Sequence, residues 1–235
     1  EDGDVWEPEA WTAALANGAV AGRKRMATDP NEAGLFVVGT KGGGLAVVER
    51  AATGVKVEPT GSIDHTRQIG DVVLDAAPAE ALANASIDVA KRVRDAGLVL
   101  LAADAFGAAD KLVRITTEYA KTRQQFGQPI AQFQAVKHAL ADMATQLECA
   151  RGLLWYAGHA IDALPKEAMR QAALAKSHIG DVALWIGREA IELHGGLGFT
   201  WECDVHIHLK RVMFDRAWLG TPEHHRRRIA QQEGF

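Results

Sequence analysis

The sequence predicts an α+β fold, in which a small antiparallel β domain over residues 1–80 precedes a four-helix up-down bundle over residues 81–235. Three observations predict it. Short Val-rich runs separated by turn residues fill the first part. Between Pro78 and Pro129 there is no proline, and Ala, Leu, Glu, Lys and Arg dominate. Two later segments repeat apolar residues at helical spacing.

The β domain is predicted from the runs "GLFVVG", "GLAVVE" and "VKVEP". Valine is β-branched and packs well on a pleated surface, so these runs favour strands. Each run is bounded by turn residues, in "GTKGGG", "ATG" and "PTG". Short strands at such close spacing pair most simply as antiparallel neighbours.

Four helices are predicted, over residues 81–122, 133–164 and 166–194 and from about residue 221. In the second and third, apolar residues recur at steps of three and four, at Val136, Leu140, Met143, Leu147, Ala150, Leu154, Ala157 and Ile161, and at Met169, Ala172, Ala175, Ile179, Val182, Ile186, Ala190 and Leu193. Pro165 separates the two helices, and the short link predicts that they pack antiparallel.

Composition narrows the function classes. The 26 basic and 30 acidic residues give a net charge of −4, which favours neither nucleic acid nor an anionic membrane as a partner. The two cysteines, Cys149 and Cys203, lack the spacing of a disulfide framework or a zinc site. No apolar run suits a membrane span and no signal peptide opens the chain, so we expect a cytoplasmic protein.

Two histidine-bearing segments are weak candidates for a metal site or a phosphate site. His206 and His208 form an HxH pair, but no third ligand follows at a recognisable spacing, so no metal site is predicted. The segment "HHRRR" at residues 224–228 projects in all directions around a helix, which favours a solvated helix face over a phosphate site.

The segment "HGGLGF" follows the third predicted helix and begins at His194. Glycine is the usual residue where a helix ends in a left-handed conformation. It also allows backbone N–H groups to approach a ligand that a Cβ would block. The segment closes a helix, so it is not a dinucleotide fingerprint, which follows a strand and opens a helix. Its shape leaves the cap and the ligand cradle equally open.

Together with "YAKTRQQFGQPIAQFQAVKH", residues 119–138, this segment resembles the acyl-CoA dehydrogenase family, whose middle β domain and C-terminal helical bundle match the two predicted domains. The family's N-terminal helical domain is missing from the sequence. The resemblance implies FAD, bound between the β domain of one subunit and the bundle of its neighbour. It further implies desaturation of an acyl-CoA, with a hydride passing to flavin N5 and electrons to electron-transfer flavoprotein, and a homo- or hetero-oligomer, a dimer or a tetramer.

The resemblance also implies FAD contacts from four short segments: Thr28; Arg123, Gln125 and Phe126; Glu192, Gly195 and Gly196; Thr221 and Glu223. Thr28 corresponds to a threonine that hydrogen-bonds the flavin ring. Arg123 corresponds to an arginine at the pyrophosphate of a partner subunit's FAD, and its fork of donors suits phosphate oxygens. Glu192 stands where the family usually has Gln, which replaces a donor with a negative charge.

The proton-abstracting base is where this sequence departs from the family. Many members place a Glu in a "YEGT" segment before the last helix, and here "WLGT" puts Leu219 there. Other members place it on the first helix of the bundle, at the position of Gly97. Asp104 is a candidate base, because it lies seven residues beyond Gly97 on the same helix face, in an apolar run of the kind that raises a carboxyl pKa. The alternative is a structural carboxylate bonded to backbone or to Arg.

Three functions follow from these observations. The first is an active FAD-dependent acyl-CoA dehydrogenase that uses an unrecognised base. The second is a catalytically silent subunit that completes the FAD site of a partner. The third is a helical scaffold that binds neither flavin nor CoA, which the "RQQFGQPI" and "HGGLGF" segments disfavour because a scaffold needs neither.

Overall fold

The computed structural model describes residues 6–234, so the first five residues of the predicted β domain and Phe235 lie outside the described residues. The chain forms two compact units, Glu1–Arg94 and Asp95–Phe235. The first contains the larger sheets and the second most of the helical sequence.

The first unit consists of antiparallel strands in two sheets, as the Val-rich runs predict. Its strands are β1 (Ala14–Ala16), β2 (Ala19–Thr28), β3 (Leu35–Thr40), β4 (Gly44–Glu49), β5 (Val55–Thr60), β6 (Ile69–Pro78) and β7 (Glu80–Ala81). One sheet has the order β1-β2-β6-β5 and the other β3-β4-β7. Inward-facing side chains of both sheets, among them Val20, Val48 and Val72, form the core of this unit.

Near the end of β2, its register with β6 shifts between Lys24 and Ala27. Met26 lies there with a positive φ of 57°, and its N–H donates to Asp71 Oδ1 at 2.9 Å. A bulge of this kind turns the following side chains. Thr28 is the last residue of β2 and is exposed.

Apart from short 3-10 helices at Pro8–Ala10, Ile130–Gln132 and Gly195–Phe199, the remaining elements are α1 (Ile87–Thr122), the two short strands β8 (Gln124–Gln125) and β9 (Gln128–Pro129), α2 (Gln134–Ala163), α3 (Ala168–His194), α4 (Val205–Ala217) and α5 (Pro222–Gln232). The predicted fold class is confirmed, because antiparallel sheets precede a helical C-terminal region. Helix α2 ends two residues before Pro165. Helix α4 adds to the four predicted helices.

The core of the second unit is built from large residues of several helices and from alanines between them. Leu112, Met143, Ile179, Ile186 and Val212 are each at most 1% exposed. Small side chains allow helix backbones to approach closely, which the alanine-rich stripes of α2 and α3 provide. Within residues 6–234 no helix has both the length and the apolar character that a membrane crossing requires.

Candidate functional site

The arginine-bearing and glycine-bearing segments meet in one chain. The ring of Tyr119, near the end of α1, stacks on the ring of His194, the last residue of α3, with centroids 4.2 Å apart. Tyr119 Oη also donates a long hydrogen bond of 3.4 Å to the carbonyl oxygen of His194. Tyr119 precedes Arg123 by one helical turn, and His194 precedes Gly195 directly. The structure therefore brings both segments to one place.

His194 fixes this junction from inside the bundle. Its side chain is 5% exposed, and its Nδ1 lies 2.7 Å from the carbonyl oxygen of Ala190. A carbonyl only accepts, so Nδ1 carries the proton. Burial lowers the pKa of His194, while the bond to Ala190 opposes that shift. The ring thus favours the neutral form and supports Tyr119.

A tight hairpin of β8 and β9 follows Arg123. Its ends are closed by the bond from the N–H of Ile130 to the carbonyl oxygen of Arg123, at 2.8 Å. Phe126 and Gly127 form the turn, and both have positive φ, 52° and 78°, as two-residue hairpin turns require. Phe126 is 92% exposed, and Arg123 and Gln125 are also exposed. Within residues 6–234, Arg123 forms no ion pair.

The glycines after α3 have three different explanations. Gly195 caps α3 with a positive φ of 61°, a conformation that favours glycine. Gly198 is required by packing, because a Cβ there would lie 3.0 Å from the carbonyl oxygen of Ile191. Gly196 has neither reason, since a Cβ there would meet nothing within 4 Å. The cap therefore accounts for Gly195, and Gly196 is left as backbone open to a ligand.

Glu192 is exposed in the last turn of α3. A carboxylate at a helix C-terminus is electrostatically unfavourable, because the carbonyl end of the helix is negative. Within the described part of the chain Glu192 forms no ion pair that would offset this. The fold of this chain gives no reason for the residue.

Thr221 and Glu223 begin α5 and already have partners in the fold. The Thr221 hydroxyl accepts from the N–H of His224 at 3.4 Å. Glu223 lies in the first turn, where its own backbone N–H and then the Thr221 hydroxyl lower the pKa of the carboxyl group to about 2. Arg216 Nη2 also donates to Glu223 Oε1 at 2.9 Å. These two residues cap the helix, as residues of their type commonly do.

The two positions expected for the base meet in space. A Cβ built on Gly97 of α1 would lie 3.2 Å from Leu219 Cδ1, which follows α4. Positions 97 and 219 are far apart in sequence but adjacent in the fold. This is expected if the base that the resemblance implies can come from either position and act at the same place. Neither carries a carboxylate, and the spot is occupied by the leucine side chain.

Asp104 does not have the apolar surroundings that the sequence predicts. Its side chain is 29% exposed, and Nε of Arg211, in α4, lies 3.0 Å from both of its carboxylate oxygens. Asp104 is thus paired with an arginine, as the structural alternative predicts. Its role as a base stays a prediction.

Comparison with known proteins agrees with this geometry. The family described as "Acyl-CoA dehydrogenase, C-terminal domain" matches residues 86–234, more than half of the chain. The chain belongs to the acyl-CoA dehydrogenase family. This is a family of flavoprotein oxidoreductases, and the match covers the helices that carry both motif segments.

Individual relatives extend the match. "Acyl-CoA dehydrogenase IpdE2" of Mycobacterium tuberculosis is 36% identical over 140 residues, 60% of this chain and 42% of that protein. "Acyl-CoA dehydrogenase FadE34" of the same organism is 34% identical over 188 residues, 80% of this chain and 26% of that protein. A solved variant of the Tcur3481-Tcur3483 steroid ACAD superposes with a TM-score of 0.89 and 29% identity, covering 100% of this chain and 65% of that one. The chain spans about half or less of the curated relatives it matches.

Sequence reasoning missed one residue of this acyl-CoA dehydrogenase chain, Lys176 of α3, which is 1% exposed. Its Nζ donates to the carbonyl oxygens of Arg216 at 2.9 Å and Gly220 at 3.1 Å. Burial lowers the pKa of Lys176 to about 7. A signal was present, because Lys176 lies four residues after Ala172 and three before Ile179, on the apolar stripe.

The segment 224–228 is not the solvated face that its sequence predicts. His225 is 1% exposed, and its Nε2 lies 3.0 Å from the carbonyl oxygen of Leu219. Burial, followed by the charge of Lys176, lowers the pKa of His225 to about 3. Arg228 pairs with the buried Asp95 at 2.9 Å.

His206 and His208 both lie in α4. His206 is 6% exposed, and Trp201 contacts it edge to face with centroids 4.8 Å apart. Burial lowers the pKa of His208. In the part of the chain that the structure describes, no three His, Cys, Asp or Glu side chains gather as a metal site would require.

Proposed function

We propose that this chain is a subunit of an FAD-dependent acyl-CoA dehydrogenase that completes the FAD site of a partner subunit and lacks a base of its own. The carrying observation is the contact between Leu219 and the Gly97 position, where Leu219 Cδ1 lies 3.2 Å from the place of a Cβ. Removing an α proton from an acyl-CoA requires a positioned acceptor, and neither leucine nor glycine has one.

The residues at the Tyr119–His194 junction fit a dinucleotide. Arg123 presents a guanidinium group to solvent, and a planar fork of donors binds phosphate oxygens in pairs. Gly196 leaves its backbone open without an internal reason. FAD, when bound, supplies an acceptor for two electrons, which chemistry of this class requires. Thr28, Gln125, Phe126, Gly195, Thr221 and Glu223 are the further contacts proposed from the resemblance.

Glu192 sets a limit on this fit. A carboxylate beside phosphate groups repels them, whereas the Gln usual in the family donates a hydrogen bond. We therefore propose that the chain binds FAD more weakly than a relative with Gln there. Changing Glu192 to Gln is expected to strengthen FAD binding several-fold, and Glu189→Gln, on the same helix, is the matched control.

The proposed assembly contains a second member of the family that carries a carboxylate base. That member removes the α proton of the acyl-CoA, while this chain contributes Arg123 and the open backbone at Gly196. Desaturation also releases a hydride from the β carbon, and bound FAD would accept its two electrons before they pass to electron-transfer flavoprotein, the acceptor implied by the resemblance.

The test is to restore the base in this chain. Leu219→Glu places a carboxylate beside Gly97, and Leu219→Gln has the same length but cannot accept a proton at neutral pH. Flavin-loaded complexes whose partner base has been removed are assayed with acyl-CoA and a ferrocenium acceptor. We expect Leu219→Glu to exceed Leu219→Gln by on the order of 100-fold. A wild-type chain that turns over as a homo-oligomer, without any partner, would contradict the proposal.

A second candidate function is an active dehydrogenase that uses Asp104 as its base. It is favoured by one observation, that α1 is continuous from Gly97 to Asp104 and so presents both on one face. Asp104→Asn removes the carboxylate, and Arg211→Gln breaks the same ion pair but leaves the carboxylate in place. If Asp104 is the base, only the first change abolishes desaturation. Equal effects of the two changes would assign the pair to the fold.

A further inference from the structure

The turn at residues 218–221 joins α4 to α5 and carries Leu219 and Thr221. Three carbonyl oxygens in and just before the turn face buried side chains. Those of Arg216 and Gly220 accept from Lys176 Nζ at 2.9 and 3.1 Å. That of Leu219 lies 3.0 Å from His225 Nε2, which must donate because a carbonyl only accepts. The turn is thus held from the bundle interior by α3 and α5.

The backbone of the turn needs such support. Leu219 has a positive φ of 57°, which a residue with a Cβ rarely adopts. Gly220 follows at a φ of 103°, where a Cβ would lie 2.9 Å from the ring of His224. A conformation of this kind persists only where its surroundings determine it.

Lys176 is an unusual choice for this support. A buried ammonium group is unfavourable unless it is paired or bonded, and Lys176 is 1% exposed. The carbonyl of Arg216 belongs to the last turn of α4, where the helix end is negative and stabilises a cation. The buried Asp215 adds a negative charge that opposes the effect of burial on the Lys176 pKa.

We propose that Lys176 is a positioning residue for the proposed function: it fixes the turn, and through the turn it sets where residue 219 meets Gly97 and where Thr221 meets the cofactor. Only the part of this proposal that concerns the cofactor rests on the proposed function. The part that concerns the turn stands on the two hydrogen bonds of Lys176.

The experiment compares three variants of the full chain in its complex. Lys176→Met keeps an unbranched side chain that is one atom shorter, and it removes the ammonium group that makes both hydrogen bonds. Lys176→Gln keeps two N–H donors without a charge that titrates. Ser177→Ala is the control, because Ser177 is also buried on α3 but its hydroxyl bonds to the carbonyl of Leu174.

Two quantities are measured: amide hydrogen exchange of the peptide that contains residues 217–221, and the dissociation constant of FAD. In Lys176→Met we expect exchange in this peptide to be faster by on the order of tenfold, and FAD to bind about tenfold more weakly. Lys176→Gln is expected to recover part of both effects, and Ser177→Ala to cause neither. Exchange is measured without FAD, so the peptide around Tyr119 serves as an internal reference and stays unchanged.

Unchanged exchange in Lys176→Met would overturn the proposal. Faster exchange with unchanged FAD affinity would overturn the positioning role toward the cofactor, because Lys176 would then serve the fold alone. If Lys176→Met fails to fold, Lys176→Gln against Ser177→Ala decides by the same two measurements. A wild-type complex that binds no flavin overturns the proposed function instead, and the exchange result still decides whether Lys176 holds the turn.

Discussion

Two regions of the second unit differ in what they offer a ligand. At the Tyr119–His194 junction the side chain of Arg123 is exposed and the backbone at Gly196 is open. Where Gly97 meets the turn after α4, the Leu219 side chain fills the space. The backbone carbonyls of the turn accept hydrogen bonds from the buried side chains of Lys176 and His225. In the proposed function, the phosphate contacts of FAD lie at the junction, whereas both base positions lie at the turn, which adds only Thr221 and Glu223 to the cofactor site. The base can be lost without disturbing the packing of the junction.

The largest expected effect concerns the junction. Arg123→Gln removes a charged donor that forms no ion pair in the described part of the chain, so FAD is expected to bind about 10- to 100-fold more weakly, which is about 1.4 to 2.8 kcal/mol. The melting temperature without FAD is expected to stay unchanged. Flavin titration by fluorescence measures the affinity.

Arg114→Gln is the matched control for Arg123. Arg114 lies on α1, which ends directly before Arg123, and it is exposed and pairs with Asp110 at 2.8 Å. The charge change is identical, so a similar loss of FAD affinity in both variants would mean that only the overall charge matters. The contrast between the two regions would then break down.

The next effect sharpens the description of the turn region. The pKa of His225 is about 3 in the folded chain and about 6.5 in the unfolded chain. Between pH 6.5 and pH 3, His225 is therefore protonated in the unfolded chain but neutral in the folded chain. Stability therefore falls as the pH drops from 6.5 toward 3. His225→Gln keeps an N–H donor and does not titrate, so at pH 4.5 we expect it to lose on the order of 2 kcal/mol less stability than wild type.

Urea denaturation at pH 7.5 and 4.5 measures this difference. His178→Gln, at an exposed position of α3, is expected to follow wild type. Parallel pH profiles for wild type and His225→Gln would show that His225 does not stay neutral in the fold.

A smaller effect separates the two exposed glycines of the junction. Gly195→Ala places a Cβ at a φ of 61° and is expected to destabilise the chain by about 1 kcal/mol. Gly196→Ala meets no atom within 4 Å, so its stability is expected to match wild type while its FAD affinity falls. Chemical denaturation and flavin titration of both variants test this, and full FAD affinity in Gly196→Ala would remove it from the site.

The smallest effect tests the contact at the base position. Gly97→Ala gains helix propensity, but its Cβ meets Leu219 Cδ1 at 3.2 Å. Leu219→Ala relieves that contact. A double-mutant cycle of the two changes is expected to give a coupling free energy of about 0.5 kcal/mol. Additive effects would mean that residues 97 and 219 do not touch in solution.

The sequence predicts the fold where its patterns are strong. Helices α2 and α3 have regular apolar spacing, and the Val-rich strands are separated by clear turns. Helix α4 is not among the four helices predicted for the bundle, because "VHIHLKRVMFDRA" mixes apolar and charged residues without a clear stripe. Its N-cap residue, Asp204, makes no capping hydrogen bond through its side chain, so this N-cap does not stabilise the start of the helix.

The site was predictable only in part. Resemblance selected Arg123 and Gly195, and their convergence follows from the fold. The surroundings of Asp104 depend on Arg211, which is distant in sequence, so local apolar composition misled the prediction. Lys176 was missed because lysine is rarely buried, and the carbonyls that bind it come from a turn more than a helix away.

The hairpin turn at Phe126 has a consequence for handling the protein. Phe126 has a positive φ of 52° in this turn, and its phenyl ring, in a residue that is 92% exposed, presents a large apolar surface to water. Any association that covers this ring stabilises the native state by mass action. Where copies of the chain associate through this ring, dilution lowers the stability of the native state, and the melting temperature rises with protein concentration.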